Sequence, residues 1–270
     1  MMKFRMLSAT AAALAVVGGV TVGPGTAAAA QACAPLYVVG VPGTGETSAA
    51  GSTDLSSGML GTITRPLASL AGSLTEDVAV PYDAGFGGAV AGGDMPYAQS
   101  VAQGITRLSS TLTQIAEKCD ETQFALTGYS QGAQVVSMTA KKIGQGEGPV
   151  EASRVAGVAL LGNPVRQAGA PTFSGGGDRP EPPSGSPTGS LANIPSYTAP
   201  TADGGGIGPT ADTVGDYGQL NGRVGDFCTP GDLACDAPSG SPLVHVVTNL
   251  AGSSKLDQDD PVGTLASVAT

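Results

Sequence analysis

Apolar positions along the chain switch between short continuous runs and three- or four-residue spacing. Leu36–Val41 is a Val-rich run that ends in Pro42-Gly43-Thr44-Gly45, which reads as a buried strand leaving through a tight turn. Ile63, Leu67, Leu70 and Leu74 then recur at helical spacing, and Val78–Tyr82 is a second strand. From Tyr97 the positions Val101, Ile105, Leu108, Leu112 and Ile115 repeat behind the start residues Asp94 and Pro96, which predicts a long helix. Gln123–Thr127 predicts a strand that runs straight into Gly128. Ala133, Val136, Ala140 and Ile143 mark the next helix, stopping at Gly144, and Val155–Leu161 and Arg223–Phe227 are the remaining strands. Strands alternating with helices need crossover connections. The pattern therefore predicts an α/β three-layer sandwich with a central, mostly parallel sheet of about five strands and helices on both faces.

One stretch breaks the alternation. Ser174–Pro209 is dense in Gly, Pro and Ser and lacks the apolar content of a core element, so it reads as a long irregular insertion, flexible or draped over the domain. Too few residues follow it to build a second domain, and residues 31–270 are expected to form one. The first 30 residues have another character: Lys3 and Arg5, then the uncharged apolar run Met6–Val22, then small residues to Ala30. That is the layout of a secretory signal peptide cleaved after Ala30; a retained anchor or lipid attachment at Cys33 fits less well. The formal charge of −10 argues against a surface that grips nucleic acid.

All four cysteines, Cys33, Cys119, Cys228 and Cys235, follow the leader, and an even count in an exported chain reads as disulfides. Four cysteines allow three pairings. Cys228 and Cys235 are close enough to close a small loop, which leaves Cys33 with Cys119. A metal site is disfavoured, since there is no C-x-x-C spacing and a single histidine.

Gly128-Tyr129-Ser130-Gln131-Gly132 matches G-x-S-x-G, a cheap pattern in a chain with 42 glycines. Its setting makes it informative, because it lies between a strand and an amphipathic helix, where a nucleophile elbow must be. A serine needs a base to remove its proton and a third group to orient that base. His245 is the one histidine, and it follows Ser130 and the last strand. The acid must come from between them. Asp232 sits inside the Cys228–Cys235 loop, with Asp226 and Asp236 as competitors.

Taken together, Cys119, Gly128-Tyr129-Ser130-Gln131-Gly132, Cys228-x-x-Gly231-Asp232-x-x-Cys235 and His245 resemble the cutinase family of serine esterases, from Cys33 through His245. The resemblance implies an α/β-hydrolase fold, Ser130 as nucleophile, Asp232 as acid, His245 as base, and the pairs Cys33–Cys119 and Cys228–Cys235. It also implies an oxyanion hole from Thr44 and Gln131. The long insertion resembles the bacterial cutinase-like branch, which spreads over lipases, phospholipases and thioesterases, so ester hydrolysis is expected more firmly than cutin as substrate. The expectation is a secreted or cell-envelope monomer without cofactor or metal. It would act on fatty acyl esters and touch lipid surfaces transiently, with Gly85–Val90, Leu233, Leu243 and Val244 rimming the cleft. The alternatives are an acyltransferase with the same triad and a non-catalytic lipid-binding protein.

Overall fold

The computed structural model describes residues 33–88, 93–183, 186–187, 189–198 and 202–238. The expected leader, the rim positions Ala89, Val90, Leu243 and Val244, and the expected base His245 lie outside the described residues.

Five strands form one sheet in the order β2-β1-β3-β4-β5: β1 Leu36–Val41, β2 Thr75–Ala79, β3 Gln123–Tyr129, β4 Val155–Leu161 and β5 Val224–Phe227. Every pairing is parallel, with Val41 beside Gly128, Gly128 beside Leu160 and Leu160 beside Asp226. The inner strands are apolar on both faces, as a sheet covered by helices requires. In β1, Val39 and Val41 join the large core while Val38 joins the smaller one behind the sheet.

The large core lies under α2 (Tyr97–Lys118) and α3 (Gln131–Gly144), where Val101, Leu108 and Leu112 meet Val135, Val136, Ala140 and Ile143. Gly104 lets the two helices approach, since a Cβ there would stand 2.7 Å from a Val135 methyl. Both helices fall where the periodicity places them.

Two elements differ from the expectation. The pairing of β2 runs over Thr75–Ala79, three residues before the apolar run Val78–Tyr82. At this sheet edge the pairing begins in polar residues, while Val80 and Tyr82 are buried beyond the ladder. Ile63, Leu67 and Leu70 do lie on a helix, α1 (Gly58–Ala71), but stay exposed, Leu70 to 88%. The buried contacts come from Leu60, Gly61 and Thr64. Thr64 Oγ1 donates to the Leu55 carbonyl at 2.7 Å, and a Cβ at Gly61 would stand 2.3 Å from the Ser56 carbonyl oxygen. Small residues make the close approach, to the loop before the helix, while Ile63 and Leu67 line an open apolar groove with Val38, Ala125, Val158 and Phe227. No described helix is long and apolar enough to cross a membrane.

The segment 174–209 lies between β4 and β5 and contains no helix or strand among its described residues. It is nevertheless tied down. Phe173, Tyr197 and Phe227 pack edge-to-face, Ser174 N–H donates to Val224 O, and Glu181 N–H donates to Gly222 O. Its final arm is fastened harder. The buried Arg166 guanidinium donates to the carbonyls of Ala202, Gly204 and Ala170, and Gly205 exchanges two backbone hydrogen bonds with Ala237. The segment is draped and pinned, and its last residues brace the loop that carries Asp232.

Disulfides join Cys33 to Cys119 and Cys228 to Cys235, across 86 and 7 residues. In the chain-entropy account these closures stabilise by about 4.5 and about 2.5 kcal/mol. Replacing Cys33 and Cys119 by serine should therefore lower the melting temperature more than replacing Cys228 and Cys235, as calorimetry of the two double variants will report.

Candidate active site

The centre of the site is a backbone conformation. Ser130 joins β3 to α3 with φ 51° and ψ −120°, a left-handed φ that a residue with a side chain holds only when its surroundings impose it. The imposing neighbours are glycines. A Cβ at Gly132 would stand 2.0 Å from the Val41 carbonyl oxygen, and one at Gly128 would stand 2.4 Å from the Gly132 carbonyl oxygen. Ser130 N–H donates to Leu161 O at 2.8 Å, which ties the elbow to the end of β4. Ser130 is half-buried at the N-terminus of α3, where the first-turn N–H groups point outward and the helix dipole favours negative charge.

Thr44 stands across from the elbow in the turn after β1. Its hydroxyl donates to Gln131 Oε1 at 3.4 Å, a long bond. Gln131 is fully buried, and its side chain is spent on scaffolding. Its Oε1 also accepts from Tyr82 OH at 3.3 Å, and its Nε2 donates to Gly85 O at 2.9 Å. Tyr82 OH donates to Pro42 O at 2.8 Å as well, and burial holds its phenol far above the ordinary pKa, so it stays a neutral donor. The Thr44 turn, the 82–85 segment and the first residue of α3 are thus one hydrogen-bonded unit. Tyr82 and Ala84, the latter at φ 47°, gave no sign of this in the sequence, since a tyrosine closing an apolar run reads as core.

The three candidate carboxylates have separate environments. Asp232 is half-buried in the disulfide loop, and the hydrogen bonds given to its side chain by described residues all fall on Oδ1, from Ala234 N–H at 2.8 Å and Cys235 N–H at 3.2 Å. Asp236 uses both oxygens to hold the loop, accepting from Gly204 N–H at 2.6 Å and Gly231 N–H at 2.7 Å. Those bonds, Gly231 first, lower its pKa. Asp226 is buried at the end of β5, where Oδ2 accepts from Asn163 Nδ2 at 2.8 Å and Oδ1 has no hydrogen-bond partner among the described residues. Burial pushes Asp226 up to about 6, against the opposing pull of the Asn163 bond and Arg166. Ser130, Thr44 and Gln131 thus gather at one end of the sheet. Of the expected rim, Gly85–Gly88 and Leu233 are described, and Leu233 is 75% exposed.

Residues 32–254, which carry this elbow, sheet and both disulfides, match the cutinase family model. The chain belongs to the cutinase family. It is 31% identical over 219 residues to the carboxylesterase Culp6 homolog of Corynebacterium glutamicum, a match covering 76% of this chain and 66% of that protein. The chain thus spans just under two thirds of that relative's length. Among solved structures it resembles the catalytic core domain of acetyl xylan esterase from Trichoderma reesei, with TM-score 0.53 and 21% identity over 88% of this chain and 98% of that one. It also resembles lysin B from Mycobacteriophage D29, with TM-score 0.56 and 18% identity over 87% of this chain and 88% of that one. At these identities the structures establish the fold: a parallel sheet flanked by helices, as in other cutinase-family α/β-hydrolases.

Asp226 generates a prediction for this cutinase-family domain. A carboxyl raised from 3.8 in the folded state destabilises when ionised. Its penalty is absent below pH 3.8, grows through about pH 6 and is complete above it, on the order of 3 kcal/mol in full. Asp226→Asn should therefore raise the melting temperature at pH 8 and change it little at pH 4. A variant less stable than the parent at pH 8 would show that the charge is wanted there.

Proposed function

We propose that this protein is a secreted serine esterase that hydrolyses carboxylic esters of fatty acyl groups through an acyl-enzyme. The observation that carries the reading is Ser130, half-buried at φ 51° between Gly128 and Gly132 and at the N-terminus of α3. Family membership and the name of the 31%-identical carboxylesterase agree with it. Export rests on the leader-like composition of residues 1–30 and on the two disulfides.

Ser130 Oγ attacks the acyl carbon while His245 takes its proton, and Asp232 holds the imidazole and balances its charge. Negative charge moves to the former carbonyl oxygen, which the Gln131 N–H and Thr44 receive. The weak Thr44–Gln131 contact is readily exchanged for a shorter one to a charged oxygen. His245 returns the proton to the departing alcohol, and the same steps with water release the acid and restore Ser130. Asp232 suits the acid's role because its bonds to described residues fall on one oxygen, whereas Asp236 spends both on the loop.

A fluorophosphonate should label Ser130 alone among the serines, and Ser130→Ala should remove activity by several powers of ten with an unchanged melting temperature. Label on another serine would end the assignment. The pH profile checks the other two members. Turnover should rise with pH along one limb as His245 loses its proton. Asp232→Asn removes the charge that favours imidazolium, so the limb should move to lower pH while turnover falls. Asp226→Asn should leave the limb in place, although Asp226 itself titrates near 6.

A further inference from the structure

We infer that Glu46 is a positioning residue that locks the Thr44 turn to the start of α1; the inference rests on the reading of Thr44 as an oxyanion donor. One carboxylate oxygen of Glu46, Oε2, accepts the Gly43 N–H at 2.9 Å. The other, Oε1, accepts the Met59 N–H at 2.9 Å, thirteen residues away. The Glu46 N–H donates to Gly43 O at 3.1 Å, so the same residue closes the turn whose two central positions are Thr44 and Gly45. Gly45 N–H in turn donates to Ala84 O at 3.0 Å. Thr44 is therefore held by Glu46 from the α1 side and by Gln131 from the α3 side.

Two observations at α1 say that the arrangement is built. The helix lacks local capping: Ser57 makes no side-chain cap bond and the first turn holds no acid. Glu46 supplies the missing acceptor and places its charge at the positive end of the helix. Gly58 makes room for it, since at φ +63° a Cβ there would lie 3.0 Å from Glu46 Oε1. A carboxylate is suited to this task because it accepts at both ends, whereas a carboxamide has one acceptor oxygen. Oxyanion stabilisation depends on donors already aimed at the place where charge develops, so loosening the turn weakens transition-state binding more than substrate binding.

A mere helix cap would predict loss of stability alone, and the experiment separates the two. Turnover of Glu46→Gln is measured per active site counted by fluorophosphonate titration. It should fall about ten- to a hundredfold, with KM little changed. Adding Ser57→Asp to Glu46→Gln gives α1 a local cap and should restore the melting temperature but not the turnover. Unchanged turnover per site in Glu46→Gln, or turnover restored by Ser57→Asp, would reduce Glu46 to a cap and overturn the inference. Thr44→Ala tests the underlying reading separately. It should lower turnover by itself, and the double variant Thr44→Ala/Glu46→Gln should lose less than the product of the two losses. No loss in Thr44→Ala would remove the oxyanion reading, and a full multiplicative loss would show that Glu46 acts elsewhere.

Discussion

The site depends on how closely α3 approaches β1. Gly132 brings its backbone so near Val41 and Pro42 that any side chain there would strike both carbonyl oxygens. That approach forces Ser130 into a left-handed φ and sets the start of α3 beside the turn leaving β1. Ordinary parallel pairing, Val41 with Gly128, places the strand ends, and small residues let the helix fit against them. Residues 129–132 follow from this fit. Local strain is tolerated because the end of the sheet, through the Leu161 carbonyl of β4, holds the elbow from outside.

Around the elbow, polar groups are assigned to support rather than left loose. Gln131, Tyr82 and Gly85 form a buried brace under Thr44, and Glu46 forms an exposed one beside it. On the opposite edge, Arg166 and Asp236 fasten the last residues of the long insertion against the Cys228–Cys235 loop. The insertion thus contributes to the geometry of Asp232 through backbone groups. The glycines of its final arm follow naturally, since the arm must come close: a Cβ at Gly206 would stand 2.0 Å from the Pro164 carbonyl oxygen.

The legible parts of the site are those whose determinants are contiguous. G-x-S-x-G places nucleophile, turn and helix start within five residues, and the short Cys228–Cys235 spacing marks the loop around Asp232. The illegible parts have partners far apart in the chain. Glu46 reads as an ordinary turn acid until Met59 is found beside it, and Arg166 reads as a surface charge until it meets carbonyls 36 and 38 positions onward. The α1 stripe shows the converse case. Ile63, Leu67 and Leu70 have helical spacing and do lie on a helix, but periodicity cannot say whether that face is closed over: Gly61 and Thr64 pack on the Ser56 and Leu55 carbonyls, while Ile63 and Leu67 line an open groove over the sheet.

The amino-acid sequence by itself determined the alternation of strands and helices, the parallel sheet, the elbow at Ser130 and the family, because each follows from apolar periodicity or from a compact motif. Tertiary structure alone decided where the β2 ladder begins, since an edge strand pairs through backbone groups and needs no apolar signature. It decided that Asp226 is a buried acid near 6 while Asp236 is a loop brace, because a carboxyl's environment depends on what the fold packs around it. It also decided that the Gly-, Pro- and Ser-rich insertion is pinned. That required Arg166, Ala237 and the aromatic trio to come together, and no local pattern encodes a meeting of residues so far apart.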